Sequence, residues 1–315
     1  MKRSLMFALT ALIMLPAMIF VTGCTEPDID PQNDDTVKGA VIGYAAGWKD
    51  APTAAQLDML THVMVFQILP NANGSLNTNS VLKNLDQFVD RAHAKNVKVS
   101  IAVGGWIKNV SPNHTDFASA ASATHRTTFV NNLVNYVNQY NLDGIDIDWE
   151  YPQGENEWND FISLCSELKT NLSGKRISAA LSGSAPNNSN FPGNVRSGIW
   201  NALDAIHLMS YDMNNWPTHS DAGKSKNLID AWATWGNGQP GFDKEKLVIG
   251  CAFYANDGSP GDNTQSLKEK VDHCYDKGYG GVMIWELSDD LPNNTLLTAI
   301  YNANKAKGGY TGENR

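Results

Sequence analysis

"LDGIDIDWEYP", residues 142–152, decides how the rest of the chain is read. Ile145, Ile147 and Trp149 alternate there with Asp146, Asp148 and Glu150. A strand sends successive side chains to opposite faces, so the three carboxylates share one face and the apolar residues the other. Same-face neighbours lie about 6.6 Å apart at the backbone, given a rise of about 3.3 Å per residue. Acids at that spacing in a poorly solvated place titrate as a unit, with at least one member held toward its neutral form. A carboxyl that keeps its proton near neutral pH is what a general acid requires. Glu150 is nearest the strand's C-terminal end and has the longest side chain, so it is the candidate to reach a substrate. Two other readings compete. A calcium loop needs a Gly-containing turn and a distal bidentate Glu at set spacing, which "DGIDIDWEYPQG" lacks. A purely structural acidic row would leave buried charge uncompensated, at a cost of several kcal/mol. The row is therefore read as catalytic, without a metal.

Outward from this stretch, seven more apolar runs read as strands: residues 39–48, 62–69, 97–106, 176–184, 203–212, 246–254 and 280–287. Amphipathic segments lie between them, such as 123–139, with Phe129, Leu133, Tyr136 and Val137 on one face. Another is 155–170, with Phe161, Ile162, Cys165 and Leu168. Eight nearly continuous apolar strands alternating with helices predict an α/β fold, a single-domain (β/α)8 TIM barrel over residues 37–308. An open doubly wound sheet usually carries a Gly-rich phosphate loop after its first strand, and "GYAAGWKDAP" supplies none. Barrel sites lie at the C-terminal ends of the strands. The residues predicted there are Tyr44 and Trp48, Gln67, Gly104 to Trp106, Asp148 and Glu150, Ser182, Tyr211 and Asp212, Tyr254, and Trp285 with Glu286. So many aromatic and polar groups at one rim suit a wide cleft for sugar rings.

The 315 residues carry a net charge of −9, which disfavours a nucleic-acid partner. Lys2 and Arg3 precede an apolar run that ends in "VTGC". Residues 1–23 resemble a bacterial lipoprotein signal, which implies lipidation of Cys24; an uncleaved membrane anchor is the competing reading. Loss of Lys2 and Arg3 takes the charge from −9 to −11. Residues 24–36 read as an acidic flexible tether and 309–315 as a disordered tail. The expected location is the cell envelope, held to the membrane through the lipid, with display on the outer surface as the reading of the acidic tether. Cys165, Cys251 and Cys274 are read as buried free thiols, or as one pair and one thiol; no Cys/His spacing suggests zinc.

"DGIDIDWEYP" also resembles the Asp-x-x-Asp-x-Asp-x-Glu signature of glycoside hydrolase family 18, the chitinase family, with Asp143, Asp146, Asp148 and Glu150 in its four acidic positions. "VIGYAAGW", "AVGGW", "MSYD", "KLVIGCAFY" and "GGVMIWEL" resemble further strands of that family, over about residues 37–306. The resemblance implies a (β/α)8 barrel and a retaining endo-glycosidase acting on β-1,4-linked N-acetylglucosamine polymers, without a cofactor. It implies that Glu150 protonates the glycosidic oxygen and that Asp148 orients the substrate's N-acetyl group. The acetamido carbonyl then serves as nucleophile through an oxazolinium ion. Asp146 would share a proton or hydrogen bond with Asp148, and Tyr211 would bond the acetamido oxygen. Asp212, Met209 and Trp285 would contact the same sugar, with Tyr44, Gly104, Gly105, Trp106 and Tyr254 completing the site. The same resemblance leaves open an endo-β-N-acetylglucosaminidase of N-glycan cores and a non-catalytic chitin-binding lectin.

Two departures matter. Family members commonly have Ser where this chain has Ala102, which leaves Tyr44 to stabilise Asp146. Many continue Phe-Tyr-Gly-Arg where this chain has "FYAND". Only about 27 residues separate Tyr254 from Val282, enough for a helix and its loops. No α+β insertion is therefore expected between the seventh and eighth barrel strands, and the cleft should be shallow and open. The enzyme is expected to act as a monomer.

Overall fold

The computed structural model describes residues 39–106, 113–184, 186, 191, 196–213 and 218–309. The signal segment, Cys24, the tether and the residues beyond 309 lie outside the described residues. The elements run β1 (Ala40–Ala46), α1 (Ala54–Leu57), β2 (His62–Pro70), β3 (Leu76–Asn77), α2 (Leu85–His93), β4 (Lys98–Gly104), α3 (Asn113–Ala121), α4 (Arg126–Gln139), β5 (Gly144–Asp148) and α5 (Gly154–Asn171). They continue β6 (Arg176–Ser182), α6 (Arg196–Ala202), β7 (Ala205–Met209), α7 (Ala222–Gly236), β8 (Leu247–Ala252), α8 (Thr264–Lys277), β9 (Gly281–Trp285) and α9 (Thr295–Ala306). Every strand read from the sequence is present, each shorter at one or both ends or nearly matched. The additional β3 is a two-residue antiparallel clip on the end of β2.

Parallel pairing runs β1-β9-β8-β7-β6-β5-β4-β2, and β1 also pairs with β2, so eight strands close into a barrel. Closure divides the strand residues into two sets. Ile145, Ile147 and Trp149 point outward into the large core between strands and helices. Trp149 stacks on Phe117 of α3 at 4.9 Å between ring centroids. The inner set is smaller and includes Ile42, Tyr44, Met64, Phe66, Ala102 and Met283. Only one helix, α8, lies between β8 and β9, so the α+β insertion is absent there. Cys165, Cys251 and Cys274 are buried and free; burial pushes the Cys274 thiol up to about 12.

Candidate active site

The four-acid signature divides between the two ends of the barrel. Asp143 sits below β5, where it accepts hydrogen bonds from Val99 N–H at 2.8 Å and His93 Nε2 at 2.7 Å, with Lys98 Nζ at 3.2 Å. Burial pushes its pKa up, but these bonds and charges outweigh it and leave the carboxyl below its usual range. Asp143 therefore ties the start of β5 to α2 and β4. The other three acids point into the barrel, as the alternation predicts.

Asp146 lies deepest and is fully buried. Its Oδ2 accepts from the Tyr44 hydroxyl at 2.6 Å, and its Oδ1 accepts from Ser178 Oγ at 2.6 Å, with His207 Nδ1 3.2 Å away. Burial raises its pKa, but His207 and these donors outweigh the cost and hold Asp146 below the usual carboxylate range. No hydrogen bond joins Asp146 to Asp148. The expected sharing is thus electrostatic here, because every donor within reach of Asp146 comes from β1, β6 and β7. Ala102, its neighbour in register on β4, supplies no donor.

Asp148 is one layer higher, 5% exposed, and its Oδ1 is buried without a hydrogen-bond partner. Burial first, then the charges of Glu150 and Asp146, push its pKa well above the usual value. Glu150 is raised as well, by burial and the charge of Asp212, against hydrogen bonds from the Tyr151 hydroxyl and the Trp106 backbone N–H. One fixed negative charge below two acids with raised pKa values is the arrangement that keeps a proton in the upper part of the row.

These acids open into a cleft of about 610 Å³ lined by Tyr44, Trp106, Asp148, Glu150, Met209, Tyr211, Asp212, Tyr254 and Trp285. Trp285 forms part of its floor, edge-on to Phe66 at 4.6 Å and to Tyr44 at 5.9 Å. Tyr211 meets Tyr254 edge-on at 6.2 Å. Burial raises the pKa of both hydroxyls, so each remains a donor. Asp212 accepts from Asn256 Nδ2 at 2.7 Å. The Asp212 N–H donates to His219 Nδ1 at 3.2 Å, and His219 Nε2 reaches the Tyr254 carbonyl at 2.9 Å. Trp106 stands 70% exposed at the mouth.

Gly104 and Gly105 act through backbone rather than through the cleft surface. Gly104 has φ +105°, and a Cβ there would fall 2.2 Å from the Asp148 carbonyl oxygen. That close approach lets Gly105 N–H donate to the same carbonyl at 2.6 Å, while the Gln67 amide donates to the Gly104 carbonyl. Trp48 and Glu286 do not line the cleft. Trp48 packs edge-on against Phe66, and Glu286 turns back to cap Ser288. The sequence reading missed Phe66, Tyr151, Lys224 and His207. His207 was legible in principle, as a polar residue two before Met209 on an alternating strand; Lys224 lies on α7 and carried no local signal. Among the described residues no group of three or more His, Cys, Asp or Glu is placed to hold a metal ion, and no helix is long and apolar enough to cross a membrane.

The family model described as "Glycosyl hydrolases family 18" matches residues 40–260. A chitinase of Rhizomucor miehei superposes with a TM-score of 0.68 at 26% identity, covering 84% of this chain and 99% of that one. A chitinase of Cycas revoluta, solved in complex with (GlcNAc)4, superposes with a TM-score of 0.68 at 19% identity, covering 84% and 99%. A "chitinase-like effector" of Moniliophthora perniciosa is 26% identical over 256 residues, 71% of this chain and 57% of the relative. The chain thus spans about half the length of that curated relative.

Proposed function

The chain belongs to glycosyl hydrolases family 18, and from that premise we propose that it is a retaining endo-glycosidase of β-1,4-linked N-acetylglucosamine polymers, chitin or its oligosaccharides. The observation that carries this reading is the inward row of Asp146, Asp148 and Glu150, whose upper two members line an aromatic cleft, with Asp148 Oδ1 buried and left without a hydrogen-bond partner. The solved Cycas revoluta chitinase, which binds (GlcNAc)4, supports the substrate class.

In the proposed reaction Glu150 gives its proton to the glycosidic oxygen as the bond to the anomeric carbon breaks. The substrate's acetamido oxygen bonds to that carbon and forms an oxazolinium ion. Asp148 holds the acetamido N–H and compensates the positive charge, while the Tyr211 hydroxyl bonds the acetamido oxygen. Glu150, now a carboxylate, takes a proton from water, which opens the ring from the same face and retains configuration. The stretch between β8 and β9 holds a single helix, which supports an open groove and internal cleavage. The N-terminal lipid tether at Cys24 belongs to the same proposal, and incorporation of labelled fatty acid that fails in Cys24→Ala is its test.

Chitotetraose, chitohexaose and a high-mannose glycoprotein, each incubated with the purified protein, test the substrate. Mixed short products with retained anomeric configuration are expected from the chitooligosaccharides. Release of the glycan alone would move the reading to an endo-β-N-acetylglucosaminidase. Binding without turnover would make the protein a lectin.

A further inference from the structure

The mechanism above leaves His207 unused, although its ring is 0% exposed at the heart of the barrel. It stands on β7 two residues below Met209, as Asp146 stands two below Asp148 on β5, so both side chains lie in the layer beneath the cleft. His207 Nδ1 is 2.9 Å from the Tyr44 hydroxyl oxygen and 3.2 Å from Asp146 Oδ1. The single hydroxyl hydrogen of Tyr44 is directed to Asp146 Oδ2 at 2.6 Å. The hydrogen between the ring and these two oxygens therefore belongs to Nδ1.

Nε2, on the far side of the ring, is buried and meets no hydrogen-bond partner. Burying a bare polar nitrogen is unfavourable, and an apolar side chain of similar size would fill the space without that cost. The compensating interaction is the one at Nδ1. Asp146 needs it, because its register neighbour Ala102 offers no donor. Its other two donors are the neutral hydroxyls of Tyr44 and Ser178. The titratable groups that feel Asp146 are Tyr44 on β1, Asp148 on its own strand and the Cys165 thiol on α5, with Tyr211 acting in turn on Tyr44. None of them is a cation.

We propose that His207 is a positioning residue for the hydrolysis: its Nδ1–H completes a set of three donors that keeps Asp146 ionised and turned to the barrel floor, so that the proton of the row is held above it, on the Asp148–Glu150 pair from which Glu150 donates. The proposal rests on the hydrolase reading and concerns a residue that never touches substrate. His207 acts through Asp146, and Asp146 acts through its charge on Asp148.

Two measurements on the full chain test it. In an ¹⁵N imidazole spectrum of the unmodified protein, His207 should show an Nδ1–H protected from solvent exchange, whose resonance moves in Asp146→Asn. For chitotetraose hydrolysis, His207→Leu should lower kcat about tenfold, the scale of one hydrogen bond to a charged acceptor. It should also move the acid limb of the kcat/KM profile to higher pH. His207→Asn, which keeps a donor near the Nδ1 position, should recover most of both. A parent that fails to cleave any chitooligosaccharide would defeat the hydrolase reading, and the spectrum alone would then decide His207. An unprotected Nδ1–H, or variants that lose thermal stability with the acid limb unmoved, would overturn the proposal.

Discussion

The Tyr44 hydroxyl donates to Asp146 Oδ2 at 2.6 Å across the barrel interior, although the two residues are 102 positions apart in the chain. This bond joins the first strand to the row of acids and sets the floor of the site. Its loss in Tyr44→Phe removes a hydrogen bond to a charge, worth about 1.5–3 kcal/mol. The variant should fall about tenfold or more in kcat/KM, with KM changed much less. An unchanged kcat/KM would mean that Ser178 and His207 suffice.

Glu150 is the proposed proton donor. Glu150→Gln keeps the shape and the hydrogen bonding and removes the proton, so kcat should fall by about 10²–10⁴ or more. Calorimetry with chitotetraose should give a dissociation constant close to that of the parent. Retained turnover would exclude Glu150 from the role.

Asp148 links activity to stability through pH. Its folded pKa is raised, so the fold gains from its proton below the unfolded value, and that gain is lost as pH climbs through the raised folded pKa. Asp148→Asn should therefore raise Tm at neutral pH, with little or no gain near the acid end, while kcat collapses. Asp143 and Asp146 have the opposite sign. Their stabilisation is present above the unfolded carboxylate value and is lost as pH falls through their lowered folded values. Thermal scans of parent and variant across the acid range compare the two behaviours.

Gly104 carries backbone and active site together. In Gly104→Ala a methyl group would meet the Asp148 carbonyl oxygen at 2.2 Å in a left-handed conformation. Strain of this kind costs about 1–3 kcal/mol before the clash is counted. Both Tm and activity should drop, and a variant as active as the parent would show that this approach is dispensable.

Lys270 is fully buried and meets Asp262 Oδ2 at 2.8 Å, Ser220 Oγ at 2.8 Å and the Gly250 carbonyl at 2.9 Å. The cluster ties α8 to the loops after β7 and β8. Lys270→Met leaves Asp262 charged and buried, a loss of about 3–5 kcal/mol. Urea denaturation should record it as a lowered midpoint.

The alternation in residues 142–152 was enough to place Ile145 and Ile147 against the helices and the three acids inside the barrel, because the period of a strand is local. Strand ends were less legible. The reading ran to Trp48, Trp106 and Asp212, whereas β1, β4 and β7 stop at Ala46, Gly104 and Met209. The last residues of each run share the composition of a strand but turn outward to form the rim. The same limit explains Glu286, which looked like a rim acid and instead caps Ser288.

The spacing along single segments was enough for the alternation of eight strands with helices, the inward row of acids and the place of Glu150 at the upper end of that row. The tertiary structure alone decided which donors surround Asp146, that Asp143 serves the opposite end of the barrel, and that His207 and Lys224 stand at the site. Those facts depend on which strands become neighbours when the sheet closes, and contacts between residues a hundred positions apart leave no local pattern to read.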